Sequence, residues 1–600
     1  MKKPLFYSQF AMLKLMLLVM VVMSFPLHAQ QIPDGGDRLV TPSTFLGSDA
    51  NVFGAKYGAV KVVEVKGMPF DHAVEATTAV QPEKYYHIGI KYKVEGQIKQ
   101  GDSMLCVFYA RSLAGGNNDT GGGMIHMNLN MLGKGIGKAV VAPNAQWMQY
   151  FIPFKAEIDS QEKRTAMGFS FGAQLQTIQI ADIHLINYGR SVSIDALPVT
   201  KITYKGREAD AAWRQQAQKR IEQIRMATMN VSVKDASGSP IADAKVTIEQ
   251  QRHAFWFGCT LNVLSLYDTD DAANLRKHHK RLFNMALCEG SIVWSVWENP
   301  KRRKQADELM QYYKDNGYYI RAHVLVWEKL NVMPKDMRQL IKSGDKDAIR
   351  KRVSDHIREI MTTYKGMVDE WVVENEAVDN SELRDVLGKE SIAEWFKIAR
   401  EVDPDAKLMF NENRTEGLKP DKSDRFLKLA KIIEENGGPL DTFGIQGHTG
   451  EVPIDMDELK ANFDKLAAYG KPIAITEFDI DTTDEQLKAD YMRDYMTMVF
   501  SHPAFYNFTV WKWWTSNPAR TVATIYNTDW TMKPSGQVYE NLVFNTWWTK
   551  ASGNTSMSGE YQARGFLGDY QITVSANGQS KTINAVLTKD GKNNFEIRLP

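Results

Sequence analysis

Between Phe255 and Trp514 the chain repeats one pattern, a short apolar run followed by a longer segment of helical spacing. The runs are Phe255–Leu261, Met285–Trp294, Tyr318–Trp327, Val368–Ala377, Lys407–Asn411, Thr442–His448, Pro472–Ile480 and Asn507–Trp514. Segments Arg303–Asn316, Lys346–Tyr364, Ser391–Glu401, Arg425–Asn436 and Asp484–Phe500 lie between most of them, with apolar residues three and four apart. Strands that alternate with amphipathic helices form a parallel sheet covered by those helices. A closed (β/α)8 TIM barrel and an open doubly wound sheet both satisfy this. No Gly-x-Gly-x-x-Gly follows any run, which removes the usual nucleotide reading of the open sheet. The fold class predicted is therefore α/β, with a TIM barrel over 253–550.

The flanks read differently. Over 30–200, period-two alternation (Tyr86–Val94, Ser103–Tyr109) is broken by Gly- and Asn-rich turns, the pattern of a β-sandwich. Tyr109, Trp147 and Tyr150 within it are read as core rather than as a glycan platform. Residues 201–252 hold a connecting helix (Arg207–Ala227) and two strands. Residues 551–600 are short strands split at Asn577-Gly578 and Asp590-Gly591. The tail is expected to pack with 229–252, because neither piece buries a core alone.

Residues 1–29 read as a signal peptide: Lys2 and Lys3, an apolar stretch from Met12 to Phe25, and Ala29 at the cut. The stretch is shorter than the roughly 20 residues a bilayer span needs. Cleavage predicts a secreted or periplasmic protein with no membrane span, a signal anchor being the alternative. Lys+Arg is 73 against 72 Asp+Glu, so electrostatics offer no reason to expect nucleic acid as a partner. Three cysteines are too few for a disulfide scaffold or a thiolate metal site. Cys259 and Cys288 either pair or stay as buried thiols. A monomer is expected.

Active sites of such barrels lie at the C-terminal ends of the strands. Polar and aromatic residues gather there: Glu289, His323, Trp327, Asn375, Glu376, Gln446, His448, Glu477, Trp511, Trp513 and Trp514. Glu376, Glu477 and His448 are possible ligands, but no His-x-x-x-His or Asp-x-Asp spacing accompanies them, so neither metal nor cofactor is predicted. No Gly-x-Ser-x-Gly elbow supports a serine triad. Two carboxylates across an aromatic-lined cleft are the apparatus of glycosidic cleavage.

Four segments carry a family resemblance: His323-Val324-Leu325-Val326-Trp327, Trp371 to Val378, Gly444-Ile445-Gln446-Gly447-His448 and Ile475-Thr476-Glu477-Phe478-Asp479. With them, residues 253–550 resemble glycoside hydrolase family 10, the retaining endo-1,4-β-xylanases. The N-terminal sandwich is similar in position to the carbohydrate-binding modules of multi-domain members. The resemblance implies Glu376 as acid/base and Glu477 as nucleophile, with xylan or a related β-linked polysaccharide as partner. It implies that Asn375 binds the sugar 2-hydroxyl, that His448 orients Glu477 and that Gln446 holds their network. His323, Trp327 and Trp511 would line the cleft and Glu289 would contact sugar. A retaining pair should stand about 5–5.5 Å apart, and mutual repulsion should raise the pKa of one carboxyl. Glu374, two residues from Glu376, is the rival acid if the register is misread.

The chain also departs from the family. The usual Glu-Asn-x-x-Lys-Trp after the second strand is here Glu289-Gly290-Ser291-Ile292-Val293-Trp294, without the Asn and Lys that grip the glycone-side sugar. The usual Asn-Asp-Tyr is Asn411-Glu412-Asn413, and Glu328 stands where many members carry His. Each lost polar grip is worth about 1–3 kcal/mol where a sugar hydroxyl is left buried and unpaired. The alternatives kept are a degenerate, non-catalytic glycan-binding protein and a retaining hydrolase of another β-glycan.

Overall fold

The eight apolar runs become eight parallel strands: β1 (Trp256–Thr260), β2 (Met285–Cys288), β3 (Tyr319–Val326), β4 (Glu370–Asn375), β5 (Lys407–Glu412), β6 (Thr442–Ile445), β7 (Ile473–Ile480) and β8 (Phe505–Val510). Each pairs with the next, and β8 pairs back onto β1, which closes the predicted barrel. The structure is a computed structural model that describes residues 31–600 apart from 46–49, 116–122, 142, 144, 162–163, 418–421, 451 and 518–521. The leader expected at 1–29 lies outside the described residues.

Boundaries moved where backbone chemistry outweighed hydropathy. The second run stops at Cys288, because Gly290 takes φ +69° and Trp294–Trp297 winds into a helical turn. The sixth breaks at Gly447 (φ +79°), beyond which His448–Thr449 pairs with Asp479 and Ile480 beside β7. The eighth spans Phe505–Val510, so Trp511, Trp513 and Trp514 lie beyond the strand. Several shell helices start at side-chain caps. Asn299 accepts from the N–H groups of Lys301 and Arg302 ahead of Pro300–Asp315, Asp345 caps Lys346–Thr363, and Asp484 caps Glu485–Phe500.

The barrel interior is layered. At its floor Arg321 donates to Glu370 at 2.7 Å and to Asn507 at 3.1 Å, while Thr442 and Tyr506 donate to the other Glu370 oxygen. Val324, Val372, Met409 and Ala474 fill the middle. The polar residues of the mouth lie above them.

Before the barrel, two antiparallel sheets face each other. One orders Gly58–Glu64, His72–Thr78, Gln176–Asn187, Ser103–Gly115 and Met148–Lys155; the other orders Asn51–Phe53, Gly89–Lys93, Thr165–Ser170, Ile125–Met131 and Lys134–Val141. Phe108, Met127, Phe169 and Ile180 pack between them, and Tyr150 joins this core, stacked on Phe108. Tyr109 and Trp147 lie against Phe70.

Helix Ala212–Ile224 then runs along the barrel. Arg214 and Tyr204 both donate to the fully buried carboxylate of Asp494. A third unit draws on both ends of the barrel segment. Met226–Lys234 pairs with Glu560–Phe566 and Asn594–Arg598, and Lys245–His253 pairs with Lys550–Asn554 and Gly568–Ala576. Val231, Val246, Ile248, Ile572 and Ile597 form its core. Cys259 and Cys288 are buried free thiols.

Candidate active site

β4, β5 and β7 deliver the central groups. Asn375 ends β4, and Glu376 follows at φ +56°, with its N–H donating to Asn411 O at 3.0 Å. Glu477 lies within β7, buried, and its N–H donates to Gln446 O at 2.8 Å.

Asn411, on β5, joins the two sides. Its Nδ2 donates to Glu477 Oε1 at 3.1 Å and to Asn375 Oδ1 at 2.9 Å, and its Oδ1 accepts from Thr476 at 2.8 Å. Gln446 Nε2 donates to Glu376 Oε1 at 3.2 Å and Asn375 Oδ1 at 3.3 Å. Glu376 and Glu477 thus sit at two ends of one net that passes through Gln446, Asn375 and Asn411. With the Asn375 oxygen occupied by two donors, its Nδ2 is the group left to offer a hydroxyl. The net needs a glycine. A Cβ on Gly444, opposite Asn411 on β6, would sit 2.2 Å from Asn411 Oδ1.

His448 lies between Glu477 Oε2 at 3.2 Å and Asp479 Oδ1 at 2.8 Å. Burial would lower its pKa, but the two carboxylates outweigh burial and raise it to about 10, so the ring is an imidazolium at neutral pH. For Glu477, burial works upward and is outweighed by the His448 hydrogen bond, the His323 and His448 charges and Asn411; its carboxyl is held below the ordinary value. His323 Nδ1 stands 4.0 Å from Glu477 Oε1, and burial lowers its pKa. Glu289 is half-buried, and burial followed by the Glu477 charge pushes its carboxyl well above the usual range. The carboxyl raised beside Glu477 is thus that of Glu289, which the resemblance places against sugar, not the proton donor it implies.

The aromatic residues divide. Trp511 places its ring edge-on to His448 at 5.5 Å, and Trp327 meets His323 at 6.3 Å. Trp513 turns into the shell, donating to Thr260 O at 2.9 Å, and Trp514 stacks on Trp530 at 4.4 Å. Glu374 is fully buried and faces Glu328, Arg384 and Glu412 instead of joining the net. Among the described residues no three His, Cys, Asp or Glu side chains gather to hold a metal ion.

Sequence reasoning gave no role to Asp479 and passed over Asn411 as a hub. Asp479 had a signal, since it stands two residues after Glu477 on the same strand face. Asn411 had only its place at the C-terminal end of a predicted strand and its match to the family's Asn, since its partners are 36 and 66 residues away.

Residues 248–541 match the model of glycosyl hydrolase family 10. Over 258 residues the chain is 34% identical to the beta-1,4-xylanase of Dictyoglomus thermophilum, covering 41% of this chain and 68% of that protein. The chain belongs to glycosyl hydrolase family 10. This family 10 chain is also 33% identical over 373 residues to the anti-sigma-I factor RsgI6 of Acetivibrio thermocellus, covering 62% of this chain and 47% of that protein. Over 368 residues it is 26% identical to endo-1,4-beta-xylanase 1 of Arabidopsis thaliana, covering 60% of this chain and 38% of that protein. The family 10 chain therefore spans less than half the length of these last two relatives.

Proposed function

We propose that this family 10 chain is a retaining endo-acting β-glycan hydrolase that cleaves xylan by double displacement. The observation that carries the reading is the single hydrogen-bonded net with Glu376 at one end and Glu477 at the other. Glu477, ionised under His448 and Asn411, attacks the anomeric carbon. Glu376 gives its proton to the leaving oxygen. Esterification then removes the Glu477 charge, and Glu376 takes a proton from the water that releases the sugar. Asn375 Nδ2 serves the 2-hydroxyl. His323, Trp327, Trp511 and Glu289 line the cleft, where flat rings stack on sugar faces.

Glu477→Ala is expected to cut release of reducing ends from xylan on the order of 10⁴-fold or more, the scale of losing a covalent nucleophile. Glu376→Ala should lose about 10²–10⁴-fold. Turnover of the Glu477 variant at the wild-type rate would reject the proposal. NMR of the first anomer formed checks retention, and a panel of β-glycans tests the sugar. Gly290 leaves open space where the family's Asn would grip, which supports a related or decorated glycan as the second reading. Binding without turnover across the panel would instead mark a degenerate binding protein.

We also infer an exported monomer whose sandwich docks the same glycan. Tyr85 and Tyr86 support the docking, with Tyr85 stacked on His126 at 4.0 Å and both tyrosines exposed. Among the described residues no helix is long and apolar enough to cross a membrane.

A further inference from the structure

The segment after β4 carries Glu376 in the left-handed region and ends at the short helix Arg384–Leu387. A non-glycine residue keeps such a conformation only where its surroundings hold it. Two buried ion pairs supply that hold. On the β3 side, Glu328 Oε2 accepts from the N–H groups of Leu383 at 3.0 Å and Arg384 at 2.8 Å. Its other oxygen accepts from Arg384 Nε, and Arg384 Nη2 donates to the carbonyls of Ala377 and Asn380. On the β5 side, Glu412 accepts from Val378 N–H at 2.9 Å and from Lys422 Nζ at 2.9 Å. Lys422 also donates to Asp379 Oδ2 at 2.7 Å.

The four residues after Glu376 are thus gripped from opposite sides. Asn380 closes the circuit, donating from Nδ2 to Glu376 O at 3.0 Å and reaching Glu376 Oε2 at 3.5 Å. Glu374 lies against both pairs, fully buried and, among the described residues, with no hydrogen-bond partner on its carboxyl. Burial and the Glu328 charge push its carboxyl well above the ordinary range. None of these five side chains lies in the net that joins Glu376 to Glu477.

We propose that Glu328–Arg384 and Glu412–Lys422 are positioning residues for Glu376, a two-sided clamp that aims the acid/base without touching substrate. The inference rests on the reading of Glu376 as acid/base, and leaving-group dependence tests it. A proton donor matters when the departing group is a sugar alkoxide and hardly at all when it is an acidic phenol. Glu328→Gln and Glu412→Gln, one for each side, are compared with wild type on unactivated xylo-oligosaccharides and on a 2,4-dinitrophenyl xylobioside. Melting curves are recorded for each, and Arg384→Lys, which keeps a cation beside Glu328, backs up the β3 side.

The expected result is a fall of roughly 10–100-fold in kcat/KM on the oligosaccharide, with the aryl glycoside held within about twofold. A parallel fall on both substrates, or no change on either in a folded variant, would overturn the clamp while leaving the hydrolase reading intact. Failure of the wild type on both substrates would overturn the hydrolase reading and the clamp with it.

Discussion

His448 is shared by two carboxylates, and that sharing sets its charge. A ring whose pKa is raised in the folded state contributes stability that is fully present below its unfolded value, 6.5, and is lost as pH rises through about 10. The melting-temperature advantage of wild type over His448→Asn should therefore shrink between pH 6.5 and 10; a constant difference would contradict an imidazolium there. The same substitution removes a cation from Glu477 and should move the acid limb of kcat/KM upward by about one unit or more. Spacing and motif pointed to Glu376, Glu477 and His448. They did not reveal the charge state of His448, which depends on Asp479 and Glu477 meeting one ring from one strand.

Strand alternation alone would put residues 370, 372, 374 and 376 on one face of β4, which made Glu374 a rival acid. A bulge breaks the alternation. Val372 pairs with Met409 and Glu374 with Phe410, so Val373 is an extra residue on β4. Glu374 then sits level with Phe410, which packs against the helices, and Asn375 sits level with Asn411 at the mouth. Hydropathy could not show this, because Val372 and Val373 are equally apolar. The same element-level fit makes Gly444 a sensitive position. Gly444→Ala would force Asn411 away from Glu477, with an expected loss of about 1–3 kcal/mol in stability and about tenfold in kcat/KM for one misplaced donor. Thermal melts and steady-state kinetics check both, and a variant with wild-type kinetics would remove Asn411 from its place beside Glu477.

At the scale of the whole molecule, the two flanks of the barrel segment are tied together in one unit. The unit built from 226–253 and 550–598 shares one core, so a chain ending at Thr549 would leave Val231, Val246 and Ile248 without partners from Ile572 and Ile597. At about 1.5–3 kcal/mol per apolar side chain left uncovered, the truncated chain should be poorly soluble or melt well below the full one. Soluble yield and differential scanning calorimetry decide this, and an unchanged melting temperature would show the tail to be dispensable. The sequence by itself determined the barrel and named the candidate residues at its mouth, because strand and helix periods are local and each motif lies within a few residues. Only the tertiary structure decided which side chains meet, from Asn411 between Asn375 and Glu477 to Lys422 beside Glu412. Hydrogen bonds, desolvation and ion pairing act through space across a few ångströms, and chain separation carries no record of those distances.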